Sequence, residues 1–383
     1  MGGLDQIYNI EDLARLARRR IPRGLFEFID RGAEDEVTTR ANEACLKDTF
    51  LRQRVGIDVS TRDLSVSLFG VRQNIPIGVG VTGLVGMLAY RGEFQIAQAA
   101  AAAGVPYTLG NANFASLAEV KAICGDLLWR QLYPLQQPIM DHQIRIAKEA
   151  GVRVLVITMD SAMTGNREYM YRNGFAPRMM NAETWRQMLL SPRWLAGTVL
   201  RYKLNGGLPE IADLPEGQRA FFGKKASFAS APVATFSWES LREVRRTWQD
   251  ILVVKGISTA EDARTAADLG VDGIIVSNHG GRSLDGCIPS FAALPQIVDA
   301  VAPKVTVMVD GGFKRGADVL KAIAAGASCV WVGRATTYGL AAAGQAGVAR
   351  ALSMLESEFS RTMALMGCTK VDQLNRDMLQ LPR

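Results

Sequence analysis

Gly273-Ile274-Ile275-Val276-Ser277-Asn278-His279-Gly280-Gly281-Arg282-Ser283-Leu284-Asp285 joins a short apolar run to a turn that carries a histidine and an arginine. The first four residues read as a buried strand, because they are apolar throughout and give way to polar and glycine positions. A strand end holds the side chains that follow it rigidly. Gly280 and Gly281 let a ligand approach the backbone, while His279 supplies a proton acceptor and Arg282 a planar fork suited to a carboxylate. The chain contains only two histidines, so finding one here is informative.

Working outward, seven more short apolar runs share this character, at 75–79, Tyr107–Leu109, Leu128–Leu132, Val154–Thr158, 252–255, 306–309 and 329–332. Segments of helical pattern lie between them. Residues 93–103 are rich in alanine, 141–150 are amphipathic, and 259–269 open on Thr259 with Asp262 three residues later, a variant of the capping box. Eight strands alternating with helices predict an α/β fold of the (β/α)8 TIM-barrel type. An open doubly wound sheet would carry a Gly-rich dinucleotide loop after its first strand, and none is found. We therefore expect one domain over 1–383, with a helical cap at 1–70, the barrel at 71–340 and closing helices at 341–383. Residues 9–20 form the clearest cap helix.

One stretch breaks the rhythm. More than ninety residues separate the fourth and fifth strands, far beyond the ~2–6 of an ordinary βα loop, and 179–236 reads as an insertion. Within it Trp185, Met188, Leu189, Leu190, Trp194, Leu195, Val199 and Leu200 alternate with Arg186, Arg193, Arg201 and Lys203. That composition suits an interfacial helix on an anionic membrane surface, and equally a lid over the barrel mouth.

Composition narrows the classes. Hydrophobic residues make up 48% of 383, enough for a large core, and the formal charge is +6. No lysine-arginine block or aromatic-basic alternation points to nucleic acid, so the positive balance fits a small anionic substrate or lipid head groups. Cys45, Cys124, Cys287, Cys329 and Cys368 show no CxxC spacing. Neither a metal site nor a disulfide framework is implied, and a reducing compartment is expected. The N-terminal residues form no apolar signal region, and no run of about 18 apolar residues occurs. A cytoplasmic protein is expected, free or peripheral on the inner face of the cytoplasmic membrane.

Ser277 to Asp285 resembles the active-site signature of the FMN-dependent 2-hydroxy acid oxidases and dehydrogenases, the family of glycolate oxidase, lactate dehydrogenase and mandelate dehydrogenase. The resemblance covers nearly the whole chain and implies FMN as cofactor. It places Val81, Thr82, Gly83, Gly110, Gln131, Thr158, Lys255 and Ser277 around the flavin. Asp310, Gly311, Gly312, Lys314, Gly333 and Arg334 fall where barrels hold a phosphate. It implies oxidation of an (S)-2-hydroxy acid, mandelate-like ahead of lactate-like, to the 2-oxo acid. His279 is then the base, oriented by Asp160. Arg282 and Arg167 hold the carboxylate, Tyr133 bonds the substrate, and the electrons pass to a quinone or to oxygen. Whether hydride or a carbanion carries the electrons is left open by the residues. A homo-oligomer, a tetramer in the family, is also implied.

Four positions depart from the family pattern. Phe28 stands where a tyrosine usually bonds the substrate carboxylate, Val81 replaces a proline, Gly110 a serine, and Lys314 an arginine. Gly83 resembles the mandelate dehydrogenases, where many oxidases have alanine. Two alternatives follow: the same flavin barrel acting on a non-standard substrate, or a non-redox barrel that binds a sugar phosphate.

Overall fold

A computed structural model describes residues 4–174, 182–220 and 233–380. The expected insertion at 179–236 therefore lies partly outside the described residues.

Eight parallel strands close into a barrel: β1 Ile77–Val79, β2 Tyr107–Leu109, β3 Leu128–Leu132, β4 Val154–Thr158, β5 Ile251–Ile257, β6 Gly273–Val276, β7 Thr306–Asp310 and β8 Val330–Val332. Each pairs with its neighbours in sequence, and β8 pairs with β1 to close the ring. All eight expected strands are present, four with the expected bounds. Their side chains alternate between two cores, as strand geometry requires. Val156, Val253, Ile275, Met308, Trp129 and Trp331 fill the barrel interior, with Leu68 packed among them and Phe69 against them. Leu155, Ile157, Val254, Ile274 and Val309 face outward into the helix layer.

The helices obey their end signals. Asn9 caps α1 (Ile10–Arg20) by accepting from Asp12 N–H at 2.9 Å, and Thr259 caps Ala260–Asp268 by accepting from Asp262 N–H. The helix expected at 141–150 runs instead over Gln137–Glu149, because Pro138 is pre-set for a first helical turn. Two further cap helices, α2 (Arg23–Asp30) and α3 (Val37–Lys47), lead towards the barrel mouth. The long helix Arg334–Leu365 starts directly after β8, runs across position 340 and breaks helical geometry at Ala343 and Gly344.

The insertion corrects one expectation. The stretch from Trp185 to Lys203 is not one amphipathic helix but Ala182–Leu189, Pro192–Trp194, a π-helical turn Leu195–Leu200 and Arg201–Leu204. Trp194 is buried and donates its indole N–H to the Met87 carbonyl at 2.8 Å, and Leu195 and Val199 pack partly into the core. The Gln187 side chain accepts from Gly24 N–H at 2.7 Å, and Ile211 and Leu214 are buried with Leu135 and Ile139. Part of the apolar set is thus consumed in docking. Trp185, Leu189, Leu190, Leu200 and Leu204 remain exposed. Among the described residues no helix is long and apolar enough to cross a membrane.

Candidate active site

The ends of the strands surround a cavity of about 380 Å³ at the C-terminal face of the barrel. Sixteen of the residues singled out in the sequence line it: Phe28, Val81, Thr82, Gly83, Tyr133, Arg167, Lys255, His279, Gly280, Arg282, Asp310, Gly311, Gly312, Lys314, Gly333 and Arg334. Asp160, Gly110, Gln131, Thr158 and Ser277 do not touch it. They stand behind it, bonded to or packed against residues around it.

His279 has φ +58°, a left-handed backbone that costs a non-glycine residue free energy and so needs support from its surroundings. That support comes from its neighbours. Asn278 and Asn42 of α3 exchange two side-chain amide bonds at 2.9 Å, and Ser290 Oγ accepts from Asn278 N–H. Asp285 accepts from the N–H groups of Val37 and Thr38, pinning the far end of the loop to the start of α3. Gly256, at φ +101°, matters for a different reason: a Cβ there would fall 2.6 Å from that of Asp160. Only glycine lets Asp160 come in beside the histidine.

With this backbone set, His279 Nδ1 lies 2.9 Å from Asp160 Oδ1 and Nε2 lies 3.2 Å from the Tyr133 hydroxyl. Ser161 Oγ, which the sequence reading passed over, donates to Asp160 Oδ1 and sits 3.2 Å from Nδ1. Burial would raise the Asp160 carboxyl, but His279 and Lys255 outweigh it and bring it down to about 2. Asp160 is therefore a carboxylate, and a carboxylate fixes the His279 proton on Nδ1. Burial lowers the His279 pKa, opposed by Asp160 and reinforced by Lys255. The ring is neutral at pH 7, with Nε2 unprotonated and facing the cavity. Burial raises the Tyr133 phenol, which stays a donor.

Positive charge lines the opposite wall. Arg282 Nη1 donates to the Arg31 carbonyl at 2.6 Å, its guanidinium stands 5.5 Å from the centre of the Phe28 ring, and Arg167 donates to the Arg282 carbonyl. Burial and the neighbouring Arg167 lower Arg282 to about 9, so it remains charged at neutral pH. Two guanidiniums beside a neutral imidazole suit an anion whose reacting atom reaches Nε2.

The remaining wall carries the groups that FMN would require. Lys255, buried at the end of β5, places Nζ 2.6 Å from Ser277 Oγ and 3.1 Å from Asp310 Oδ2. Burial would lower this lysine, but Asp310 and Asp160 keep it raised and charged. Gln131 donates to Thr158 Oγ1 at 2.8 Å, and its Oε1 is buried without a partner. A buried unpaired acceptor and a buried ammonium are both suited to the polar edge of a flavin. Gly110 has room for no side chain, since a Cβ would meet Val81 and Gln131, and Gly312, at φ +90°, is backed by Asn42. Gly311, Gly312 and Gly333 line the end where a phosphate is expected. The two cations there are engaged in this structure: Lys314 with Glu43 at 2.8 Å, Arg334 with the carbonyls of Asp30 and Gly280. The residues fit FMN.

Several contributors were missed in the sequence. Thr164, Leu84, Ala112 and Trp331 also line the cavity, and Asn42 braces the histidine loop. Asn278 was within the quoted stretch, but Asn42 lies 236 residues away from it and gave no local signal.

Residues 17–381 match the family described as FMN-dependent dehydrogenase. The chain is 40% identical over 377 residues to an L-lactate dehydrogenase of Caulobacter vibrioides, covering 97% of this chain and 98% of that one. It is 36% identical over 376 residues to the (S)-mandelate dehydrogenase of Pseudomonas putida, covering 98% and 94%. Among solved structures, a monotopic membrane protein (S)-mandelate dehydrogenase superposes with a TM-score of 0.92 at 36% identity, over 98% of this chain and all of that one. A mandelate oxidase variant with (S)-mandelic acid gives 0.81 at 35% identity, over 99% and 100%. These matches set aside the non-redox barrel, and the chain belongs to the FMN-dependent dehydrogenase family, with FMN as its cofactor.

Proposed function

We propose that this enzyme oxidises an (S)-2-hydroxy acid to the 2-oxo acid, with an aromatic, mandelate-like acid preferred over lactate. One observation carries the reading: His279 Nε2, backed by Asp160 on Nδ1, opens into the same cavity as Arg282 and Arg167. Arg282 exchanges its carbonyl partner for the substrate carboxylate, and Arg167 adds a second positive charge. Tyr133 donates its hydroxyl to the substrate oxygen. His279 Nε2 takes the proton, from the hydroxyl or from Cα, and the Asp160 carboxylate stabilises the imidazolium formed on either route. Bound FMN supplies the two-electron acceptor. Lys255 would set a positive charge against the flavin, with Gln131 and Thr158 standing behind its polar edge. Lys314, Arg334 and the glycines at 311, 312 and 333 would hold its phosphate.

The relatives' names support both acids, and Phe28 inclines the choice. With no hydroxyl at that place, a small acid loses a bond, whereas an aromatic one gains a ring to pack against. A quinone is the proposed acceptor, since the relatives are named dehydrogenases and one is monotopic in membranes. The exposed Trp185, Leu189, Leu190, Leu200 and Leu204, with the basic residues among them, are proposed to rest on an anionic membrane surface of the cytoplasm. A homotetramer is the proposed assembly, checked by light scattering.

The deciding experiment is anaerobic bleaching of the bound flavin by a panel of 2-hydroxy acids. Bleaching fastest with (S)-mandelate and slower with lactate is expected. A flavin that no 2-hydroxy acid bleaches overturns the reading.

A further inference from the structure

A second cavity, of about 630 Å³, lies between the barrel and the insertion. Its walls include Tyr90, Arg91 and Phe94 from the segment after β1, Phe114 from the segment after β2, and Tyr202 and Leu208 from the insertion. Four of its twelve lining residues are aromatic, and Arg91, Glu119, Asn205 and Glu210 give it a polar edge. Tyr90 and Tyr202 meet edge to face at 4.8 Å between ring centres, and the Arg91 guanidinium stands 4.0 Å from the centre of the Phe94 ring. Tyr202 Oη accepts from Arg91 N–H at 2.9 Å, which leaves the phenolic proton to be donated.

Beside the cleft sits a carboxyl the mechanism does not use. Glu93 is 1% exposed, its Oε1 accepts from Gly86 and Phe114 N–H, and its Oε2 is buried without a partner. A Cβ built on Gly86 would lie 2.9 Å from both Glu93 Oε2 and Tyr202 Oη, so the two oxygens face one spot. Burial raises the Glu93 pKa, against the lowering effect of the backbone N–H groups it accepts from.

Two observations identify the occupant. On the inner side, Phe114 follows by two residues Ala112, which lines the cofactor cavity, so their Cα atoms are at most ~7 Å apart. Leu84, another lining residue of that cavity, packs in the same apolar cluster as Phe114. On the outer side, Leu208 of the lining is 45% exposed, and Leu204, four residues before it in the insertion, is 75% exposed. A planar ring with polar carbonyls at its edge, carried by an oxidant that must come close to the flavin, fits aromatic walls with a polar edge.

We propose that the cleft seats the ring of the quinone that reoxidises the enzyme, with Tyr202 bonding a quinone carbonyl. This rests on the flavin-enzyme reading above. The quinone receives two electrons and one proton from the reduced flavin. A second proton reaches it from solvent through the Tyr202 hydroxyl, with Glu93 beside it, so that quinol leaves and FMN returns oxidised.

The test uses the holoenzyme reduced stoichiometrically with dithionite, so no hydroxy acid is needed. Reoxidation is followed with a water-soluble short-chain benzoquinone and, separately, with ferricyanide. Tyr202→Leu is expected to slow the quinone reaction about tenfold or more and to weaken quinone binding to the oxidised holoenzyme in equilibrium dialysis, with ferricyanide unaffected. Tyr202→Phe, which keeps the ring but loses the bond to the carbonyl, should bind quinone more weakly than wild type and more tightly than Tyr202→Leu, and react more slowly. Quinone reoxidation at the wild-type rate in both variants overturns the proposal. So does equal slowing with both acceptors, which marks a packing defect. Failure of every 2-hydroxy acid to bleach the flavin would sink the proposed substrate class and leave this test standing.

Discussion

The barrel strands and the insertion between β4 and β5 draw on the same apolar residues but bury them by different rules. All five residues of β4 are buried, because a parallel strand is covered by side chains inside and helices outside. Along Ala182–Leu204 the outcome is mixed. Trp194 and Met188 are buried, whereas Trp185, Leu189 and Leu204 are 54%, 69% and 75% exposed. Covalent pattern decides burial in the first region. In the second, burial depends on a partner surface distant in sequence, such as the Met87 carbonyl that receives the Trp194 indole.

The largest effect belongs to the barrel. His279→Asn should leave FMN absorbance and the fold intact while the rate of flavin reduction by substrate falls ~10²–10⁴-fold, the range for a lost general base. Reduction near the wild-type rate in stopped flow would remove His279 from that role. A pH profile refines this. Because the His279 pKa lies below 6.5, the base form persists on acidification, and kcat/KM should fall only as pH drops through that lowered value. Asp160 is what holds the pKa up against burial. Asp160→Asn should therefore move the acid limb to lower pH and also lower the plateau, since the imidazolium loses its counter-charge. A limb that moves to higher pH would contradict the pairing.

How much of this was legible follows from the same contrast. The strand runs, the His279 and Arg282 turn and the glycines of the phosphate end are local patterns, and the structure brings them to one cavity. Ser161 was not legible, since a serine next to an aspartate carries no signal until His279 is folded against both. Asn42 sits in a cap helix and acts on a loop far along the chain. The insertion was misread in its detail because tryptophan and leucine look alike in sequence whether they dock on a barrel or face outward.

Paired substitutions in the insertion sharpen the comparison. Trp194→Ala should lower stability by ~3–5 kcal/mol, as truncation of a buried aromatic does, and visibly lower Tm. Trp185→Ser should change stability by no more than ~0.5 kcal/mol, yet reduce co-sedimentation with anionic vesicles, an attraction that salt also weakens. Equal stability losses would mean that Trp185 is packed in solution. Unchanged vesicle binding after replacing Trp185, Leu189 and Leu190 together would leave the segment a lid only.

A smaller effect than that of His279 is expected at the boundary between the two regions, where α2 carries Phe28 into the cavity. Its ring stands 5.5 Å from the Arg282 guanidinium, so a hydroxyl added there would enter next to the proposed carboxylate site. Phe28→Tyr should add one charged hydrogen bond of ~1.5–3 kcal/mol, part of it lost to desolvating the new hydroxyl. At ~1.4 kcal/mol per tenfold, the apparent dissociation constant for a small acid such as lactate should improve about tenfold. An aromatic acid should gain less, because it already uses the ring. Anaerobic titration of flavin bleaching with both acids reads the difference directly. Weaker binding of each acid would instead place the Phe28 ring against the substrate, in a space the hydroxyl cannot share.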